Sequence, residues 1–191
     1  MNLLVLGPQG SGKGTQATRI SAEYDVPHIS TGEMFREAIG QGTELGRRVE
    51  PILQAGELVP DELTVALIRE RLSRPDAERG FVLDGFPRNL AQAEELDALL
   101  ADLGKRLDAV LFLDLDDETA LARALGRGHI DGRNDDTPDV IERRLALYHE
   151  QTQPLVEYYR ARDLLVPVLA ERTIDAVFAE IQKALELVAA R

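Results

Sequence analysis

The sequence predicts an α/β protein: a five-stranded parallel sheet flanked by helices, carrying a helical insertion and a short flap. Three observations carry this expectation. Short apolar runs alternate with longer segments of helical period along the 191 residues, the pattern of strands joined by crossover helices. The runs are Val- and Leu-rich rather than alternating with polar residues, as strands covered on both faces are. A glycine-rich turn also joins the first apolar run to the first helical segment. The length suits one domain.

The elements follow in chain order. Leu3–Leu6 reads as the first strand and 13–24 as the first helix. Pro27–Ile29 is a weaker strand. Residues 30–73 contain no convincing strand, and Gly32, Gly40, Gly42, Gly46 and Gly56 divide them into short helical pieces. Phe81–Leu83 is a strand and 89–103 a helix; Val110–Leu113 is a strand and 117–126 a helix, with the acidic run Asp114–Glu118 at its start. Residues 127–136 are polar and glycine-containing, which predicts an exposed, mobile loop. The longest helical pattern, 138–162, opens with Thr137-Pro138-Asp139: a capping hydroxyl, an N1 proline and a first-turn acid. Pro154 inside it predicts a kink or break. Leu164–Val168 and 174–189 supply the last strand and helix. The core is then 1–29, 60–125 and 137–191, the insertion 30–59 and the flap 126–136.

Acidic residues outnumber basic ones, 34 to 22, for a net charge of −12. That field opposes non-specific binding to nucleic acid or anionic membranes, yet a local arginine cluster can still bind a small anion. With 44% hydrophobic residues the chain can bury a core. It has no cysteine, which excludes disulfides, thiolate metal sites and cysteine nucleophiles. Met1–Gly7 has no basic region ahead of its short apolar run, and no stretch approaches the roughly 18 apolar residues of a membrane span. The expectation is a soluble cytoplasmic protein.

The strongest chemical signal follows the first strand: Gly7-Pro8-Gln9-Gly10-Ser11-Gly12-Lys13-Gly14-Thr15. Glycines let the chain curl so that successive N–H groups face one concavity, and the helix N-terminus adds its dipole. Lys13 offers a point charge to outer phosphates. The generic motif has Ser or Thr directly after the lysine, whereas Gly14 stands there and the hydroxyl is Thr15. Metal capture then falls to a carboxylate, and Asp84, at the end of a strand run, is the candidate.

These residues resemble those of adenylate kinases, nucleoside monophosphate kinases of the P-loop fold, over nearly the whole chain. The Gly-Lys-Gly-Thr variant at 12–15 is one of several motifs that match. Ser30-Thr31-Gly32-Glu33 with Arg36, Gly56-Glu57-Leu58-Val59-Pro60, and Asp84-Gly85-Phe86-Pro87-Arg88 with Gln92 resemble the family's monophosphate site. Arg123, Arg127, Gly132-Arg133-Asn134-Asp135-Asp136 and Arg144 resemble its lid and lid-proximal arginines. The resemblance implies transfer of the ATP γ-phosphoryl group to AMP, giving two ADP, with Mg²⁺ held near Asp84 through water. It implies that Gly10, Ser11, Gly12, Lys13, Gly14 and Thr15 cradle ATP, with Arg127 and Arg172 near it. Thr31, Arg36, Glu57, Leu58, Val59, Gly85, Phe86, Pro87, Arg88 and Gln92 would surround AMP. Lys13, Arg88, Arg123, Arg133 and Arg144 would converge on the transferring group, the last two also touching AMP. The insertion becomes the monophosphate-binding unit, the flap a short lid, and the chain a monomer.

Elementary chemistry agrees with that implication. Two anionic groups must be brought together and the acceptor oxygen is already ionised, so positioning and charge stabilisation suffice. Arginines remain charged and bind phosphate oxygens bidentately. Residues 123–144 hold five basic and five acidic side chains, leaving 17 basic against 29 acidic elsewhere, so this segment is neutral within an acidic chain. Thr31 and Gln92 favour AMP over the pyrimidine monophosphates, whereas Asn89 also occurs in the pyrimidine enzymes and Arg172 replaces a common glycine. A UMP/CMP kinase and a non-catalytic nucleotide-binding regulator stay open as alternatives. The histidines are read as structural: His28 as packing, His149 as a helix-face residue, and His129 as no zinc ligand in so short a lid.

Overall fold

The computed structural model describes residues 1–131 and 137–190, the side chains of 127–131 excepted. Strands β1 (Asn2–Leu6), β2 (His28–Ser30), β3 (Phe81–Asp84), β4 (Ala109–Asp114) and β5 (Leu165–Leu169) form one sheet in the order β2-β3-β1-β4-β5. Every ladder is parallel: Leu4 pairs in register with Leu83 on one side and Val110 on the other. The expected fold class is the observed one.

Successive residues of each apolar run go to opposite faces, which explains why the runs show no polar alternation. Leu3 and Val5 of β1, Val82 of β3 and Leu111 and Leu113 of β4 meet Ala17 and Ile20 of α1 (Lys13–Tyr24). Val177, Phe178, Ile181 and Leu185 of α9 (Ile174–Ala189) complete that layer. Leu4, Leu6, Phe81, Leu83 and Val110 face the other way. There they meet Ile68 and Leu72 of α4 (Asp61–Leu72), Leu96 and Leu99 of α5 (Leu90–Asp102), and Leu155 and Tyr159 of α8 (Pro154–Arg160). Leu3, Leu4 and Leu83 are wholly buried; each such side chain is worth about 1.5–3 kcal/mol.

Helices α2 (Thr31–Gly40) and α3 (Glu44–Gln54) pack beside α4, with Met34 reaching the second layer. They share a small core of Phe35, Val49 and Val59, flanked by Ile39, Leu45 and Ile52. Side-chain caps start both: Ser30 accepts from Glu33 N–H at 3.4 Å and Thr43 from Gly46 N–H at 3.0 Å.

Two local outcomes differ from the expectations, and the break expected at Pro154 is observed. Helix α6 (Asp117–Asp131) continues past residue 126, so 127–131 are helical rather than loop. Gly126 and Gly128 weaken a helix by about 1 kcal/mol each, which a turn already propagating tolerates; 132–136 lie outside the described residues. The 138–162 pattern divides into α7 (Pro138–Leu147), a π-helical turn Tyr148–Thr152 and α8, which begins at Pro154. Pro154 has no N–H for the preceding ladder, and Gln153 N–H bonds Tyr148 O at 2.8 Å across the widened turn. Thr137 takes the N-cap position of α7, but its hydroxyl makes no capping bond. Among the described residues, no helix is long and apolar enough to cross a membrane.

Candidate active site

The sheet order reverses about β1, whose neighbours are β3 and β4. In an open parallel sheet such a point opens a crevice beyond the strand C-termini. The loops leaving β1 and β3 meet there.

After β1, Gly10 has φ +87°, and a Cβ on it would lie 2.4 Å from the carbonyl oxygen of Ala120. Only glycine fits. Gly12, the N-cap of α1, offers no capping side chain to the first-turn amides, the arrangement that leaves a helix N-terminus suited to an anion. Lys13 Nζ folds over the loop and donates to Gly7 O at 2.8 Å and Pro8 O at 2.7 Å. Ser11 is buried, and its Oγ has no hydrogen-bond partner among the described residues.

After β3, Asp84 is 8% exposed and faces α1, its Oδ2 lying 3.6 Å from where a Gly14 Cβ would be. Burial alone would raise its carboxyl, but His28, Lys13 and Arg88 outweigh that and hold it below the usual carboxylate range. His28 Nε2 is 3.6 Å from Asp84 Oδ2. Next comes Gly85 at φ +80°, where a Cβ would press to 2.8 Å from Thr31 Oγ1. Its carbonyl accepts from Thr31 Oγ1 and from Arg88 Nε, both at 2.9 Å.

A cleft of about 520 Å³ lies between these loops, α2 and α7, within the usual size of a small-ligand site. Lys13, Arg36, Arg88, Arg123 and Arg144 all line it. Arg88 is open to the cleft yet ringed by protein atoms. That desolvation, together with the charges of Arg144 and Arg36, pushes its guanidinium down, and Asp84 opposes the shift. Arg123 is braced by the carbonyls of Ala170 at 2.7 Å and Glu171 at 3.0 Å. Arg144 donates to Leu53 O at 3.0 Å, and Arg143 pairs with Glu57, so two side chains of α7 reach the end of α3 and the segment after it.

A smaller cavity of about 40 Å³ adjoins the cleft, sharing Gly32, Leu53, Glu57, Leu58, Gly85 and Arg88 with it. Thr31, Phe35, Val59, Thr64 and Gln92 close its far side. It pairs an apolar wall with a single amide.

Comparison with known proteins gives this arrangement its relatives. A family model described as adenylate kinase matches residues 5–164. The chain belongs to the adenylate kinase family. It is 47% identical to an adenylate kinase of Thermobifida fusca, over 97% of this chain and 98% of that one. An adenylate kinase of Stenotrophomonas maltophilia is 45% identical over 97% of this chain and all of its own, and one of Oceanobacillus iheyensis 44% over 97% and 99%. Adenylate kinases are phosphotransferases acting on nucleotides with ATP as donor.

Most of the residues that the sequence singles out come together here: Gly10–Thr15, Thr31, Arg36, Glu57–Val59, Asp84, Gly85, Pro87, Arg88, Gln92, Arg123 and Arg144 surround the two cavities or the loop between them. Others do not. Phe86 is buried in the layer beneath the cleft, among Leu4, Leu83 and Leu96. Arg172 bonds Glu180 of α9 at 3.0 Å and lines neither cavity. Arg133 lies outside the described residues, and of Arg127 only the helical backbone is described. Sequence reasoning overlooked His28 as a neighbour of Asp84, Leu53 as the acceptor for Arg144, and Asp61, Asn89 and Thr152, which hold Gln92 and Arg88. None belongs to a spaced motif: Asn89 acts as the N-cap of α5, and the others are brought in by tertiary packing.

Proposed function

We propose that this chain catalyses the reversible, Mg²⁺-dependent transfer of the γ-phosphoryl group of ATP to AMP, giving two ADP. The observation that carries the reading is the convergence of Lys13, Arg36, Arg88, Arg123 and Arg144 on one cleft, with the phosphate loop at one end and the Gln92 cavity at the other. A chain of net charge −12 that gathers five cations in one cleft is built for several phosphates, not one.

The first-turn amides of α1 and Lys13 hold the donor's phosphates; Arg36 and Arg88 hold the acceptor's phosphate; Arg88, Arg123 and Arg144 face the group in transfer, joined by Arg133. No general base is needed, because the attacking oxygen is already an anion. The residues suit Mg²⁺. Asp84 is a buried hard-oxygen donor kept ionised beside α1, and Mg²⁺ binds through one or two carboxylates, waters and substrate phosphates. When bound, the ion supplies charge neutralisation across the donor's phosphates. Thr15 lies one residue beyond the usual ligand position, so Asp84 carries the protein's share, through water.

Gln92 reads the adenine edge, with Thr31, Leu58 and Val59 framing the sugar and base; Glu57, Phe86 and Pro87 support that wall. Arg127 belongs to the ATP side, and Arg172, its side chain tied to Glu180, would meet ATP through its backbone. Residues 30–59, built around Phe35, Val49 and Val59, and the lid expected at 126–136, of which 132–136 lie outside the described residues, would close over the substrates and keep water from the γ-phosphoryl group. With no cysteine in the chain, the lid needs no zinc. The same reading makes the protein a cytoplasmic monomer.

A coupled assay with ATP and each of AMP, CMP, UMP and GMP tests it. AMP is expected to be the best acceptor. A higher kcat/KM on CMP or UMP would replace it with a pyrimidine monophosphate kinase, and tight ATP binding without exchange would leave a regulator.

A further inference from the structure

Gln92 is tied at both ends of its amide. Its Nε2 donates to Asp61 Oδ1 at 2.7 Å, and its Oε1 accepts from the backbone N–H of Arg88 at 2.7 Å. Asp61 opens α4 and is itself seated by Asn89 Nδ2, 3.1 and 3.3 Å from its two oxygens. Asn89 Oδ1 closes the ring by accepting Gln92 N–H at 2.8 Å, the capping bond of α5. Asp61 lines neither cavity, whereas Gln92 lines the smaller one.

We propose that Asp61 is a positioning residue that fixes which end of the Gln92 amide meets the base, and thereby sets discrimination between 6-amino and 6-oxo purine monophosphates. The inference rests on the AMP reading above and names a determinant within it.

An amide can turn about its last side-chain bond with almost no change of shape, so only its partners decide which way it points. Here both partners decide the same way. Turning it would set Nε2 against the Arg88 N–H, donor facing donor, and Oε1 against the Asp61 carboxylate, acceptor facing acceptor. Gln92 is 2% exposed, so water cannot relieve either mismatch. An amide has two hydrogens and two lone pairs; Asp61 takes one hydrogen and Arg88 one lone pair. One acceptor and one donor of the amide remain for a ligand. Adenine presents a 6-amino donor beside the N1 acceptor, which matches that pair. Hypoxanthine and guanine present a 6-oxo acceptor beside an N1 donor, which matches the amide only when turned. An ionised carboxylate can only accept, so it rejects the turned form; an amide in its place could offer either end.

The test measures kcat/KM of the full chain with ATP and either AMP or IMP. These acceptors differ at the purine edge alone. Asp61→Asn is expected to lower the AMP/IMP ratio by about fivefold or more, the low end of the discrimination a two-bond base contact gives. Part of that change comes from a rise in kcat/KM on IMP, which mere structural damage would not produce. Asp61→Glu, still an acceptor only, should keep a ratio nearer to wild type. Each ratio compares two acceptors on one preparation, so a partly unfolded sample cancels. Should the Asp61 variants not accumulate, Asn89→Ser, which keeps a capping hydroxyl and removes the donor that seats Asp61, must shift the ratio the same way. A ratio within twofold of wild type in both Asp61→Asn and Asn89→Ser overturns the proposal. A wild-type enzyme that prefers CMP or UMP to AMP overturns instead the base assignment beneath it.

Discussion

His28 Nε2 lies 3.6 Å from Asp84 Oδ2, the imidazole reaching from β2 to a carboxylate at the end of β3. Both side chains are largely buried, and β2 and β3 pair in register with Ser30 beside Asp84. The His28 contact, with Lys13 and Arg88, offsets the desolvation of this carboxylate, which faces the phosphate loop. Because the native carboxyl titrates below its unfolded value, ionisation contributes stability that is complete above the ordinary carboxylate range. It is lost as pH falls through the native value. Asp84→Asn, which mimics the protonated form, should therefore destabilise the fold by about 1–3 kcal/mol at neutral pH. That penalty should shrink as the medium is acidified. Urea unfolding of both proteins across this range reads it directly, and a penalty that grows on acidification would contradict the assignment.

The phosphate loop allows a sharper steric prediction. At Gly10 an added methyl group meets the Ala120 carbonyl at 2.4 Å, with φ at +87°. The strain and the clash act together, so Gly10→Ala should cost about 1–3 kcal/mol of stability. It should also distort the loop proposed to hold the donor phosphates. Calorimetric titration with ATP is expected to show at least a tenfold loss of affinity. An unchanged dissociation constant would mean that the loop yields without functional consequence.

Arg88 lines both the cleft and the smaller cavity. Its Nε is held by Gly85 O at 2.9 Å, and its charge lies among those of Asp84, Arg36 and Arg144. Lysine could keep the charge but neither the fork nor the anchoring bond. Arg88→Lys should lower kcat on AMP roughly 10²- to 10³-fold, as loss of an oriented donor to transition-state charge does. Its melting temperature should stay near that of the parent. Steady-state kinetics with both substrates varied would show it, and a change confined to KM would demote Arg88 to ground-state binding.

How far the sequence could be read depends on the range of the interactions. Local ones were legible. Glycine spacing and Lys13 announced the phosphate loop, the doubly covered runs announced a parallel sheet, and Pro154 announced the break that became the π-helical turn. The helix 13–24 coincides with α1. The continuation of α6 through Gly126 and Gly128 was not legible, because a glycine's modest cost is overruled once neighbouring turns exist. Long-range pairings were hidden too. Asp61 meets Gln92 across 31 residues, and Arg144 meets Leu53 across 91. No spacing rule reaches that far. The family resemblance named residues expected to touch substrates; the structure adds side chains that hold some of them in place.

Thr152 is one of these holding residues. It sits at the end of the π-helical turn and donates from Oγ1 to the carbonyl of Arg88 at 2.7 Å. Such widened turns recur at functional sites, where they redirect a side chain that a regular helix would aim elsewhere. Here the redirected hydroxyl grips the segment between β3 and α5 on one side of Arg88, while Gln92 Oε1 accepts from the Arg88 N–H on the other. Valine has nearly the shape of threonine but no donor, so Thr152→Val leaves that carbonyl without its partner. The expected cost is about 1–2 kcal/mol in unfolding free energy. A several-fold rise in KM for AMP should accompany it, with KM for ATP much less affected, because the disturbed segment carries the acceptor-side arginine. Thr152→Ser keeps the hydroxyl and should restore most of both quantities. If valine and serine variants behave alike, the hydrogen bond does not position Arg88 and the hydroxyl serves packing alone.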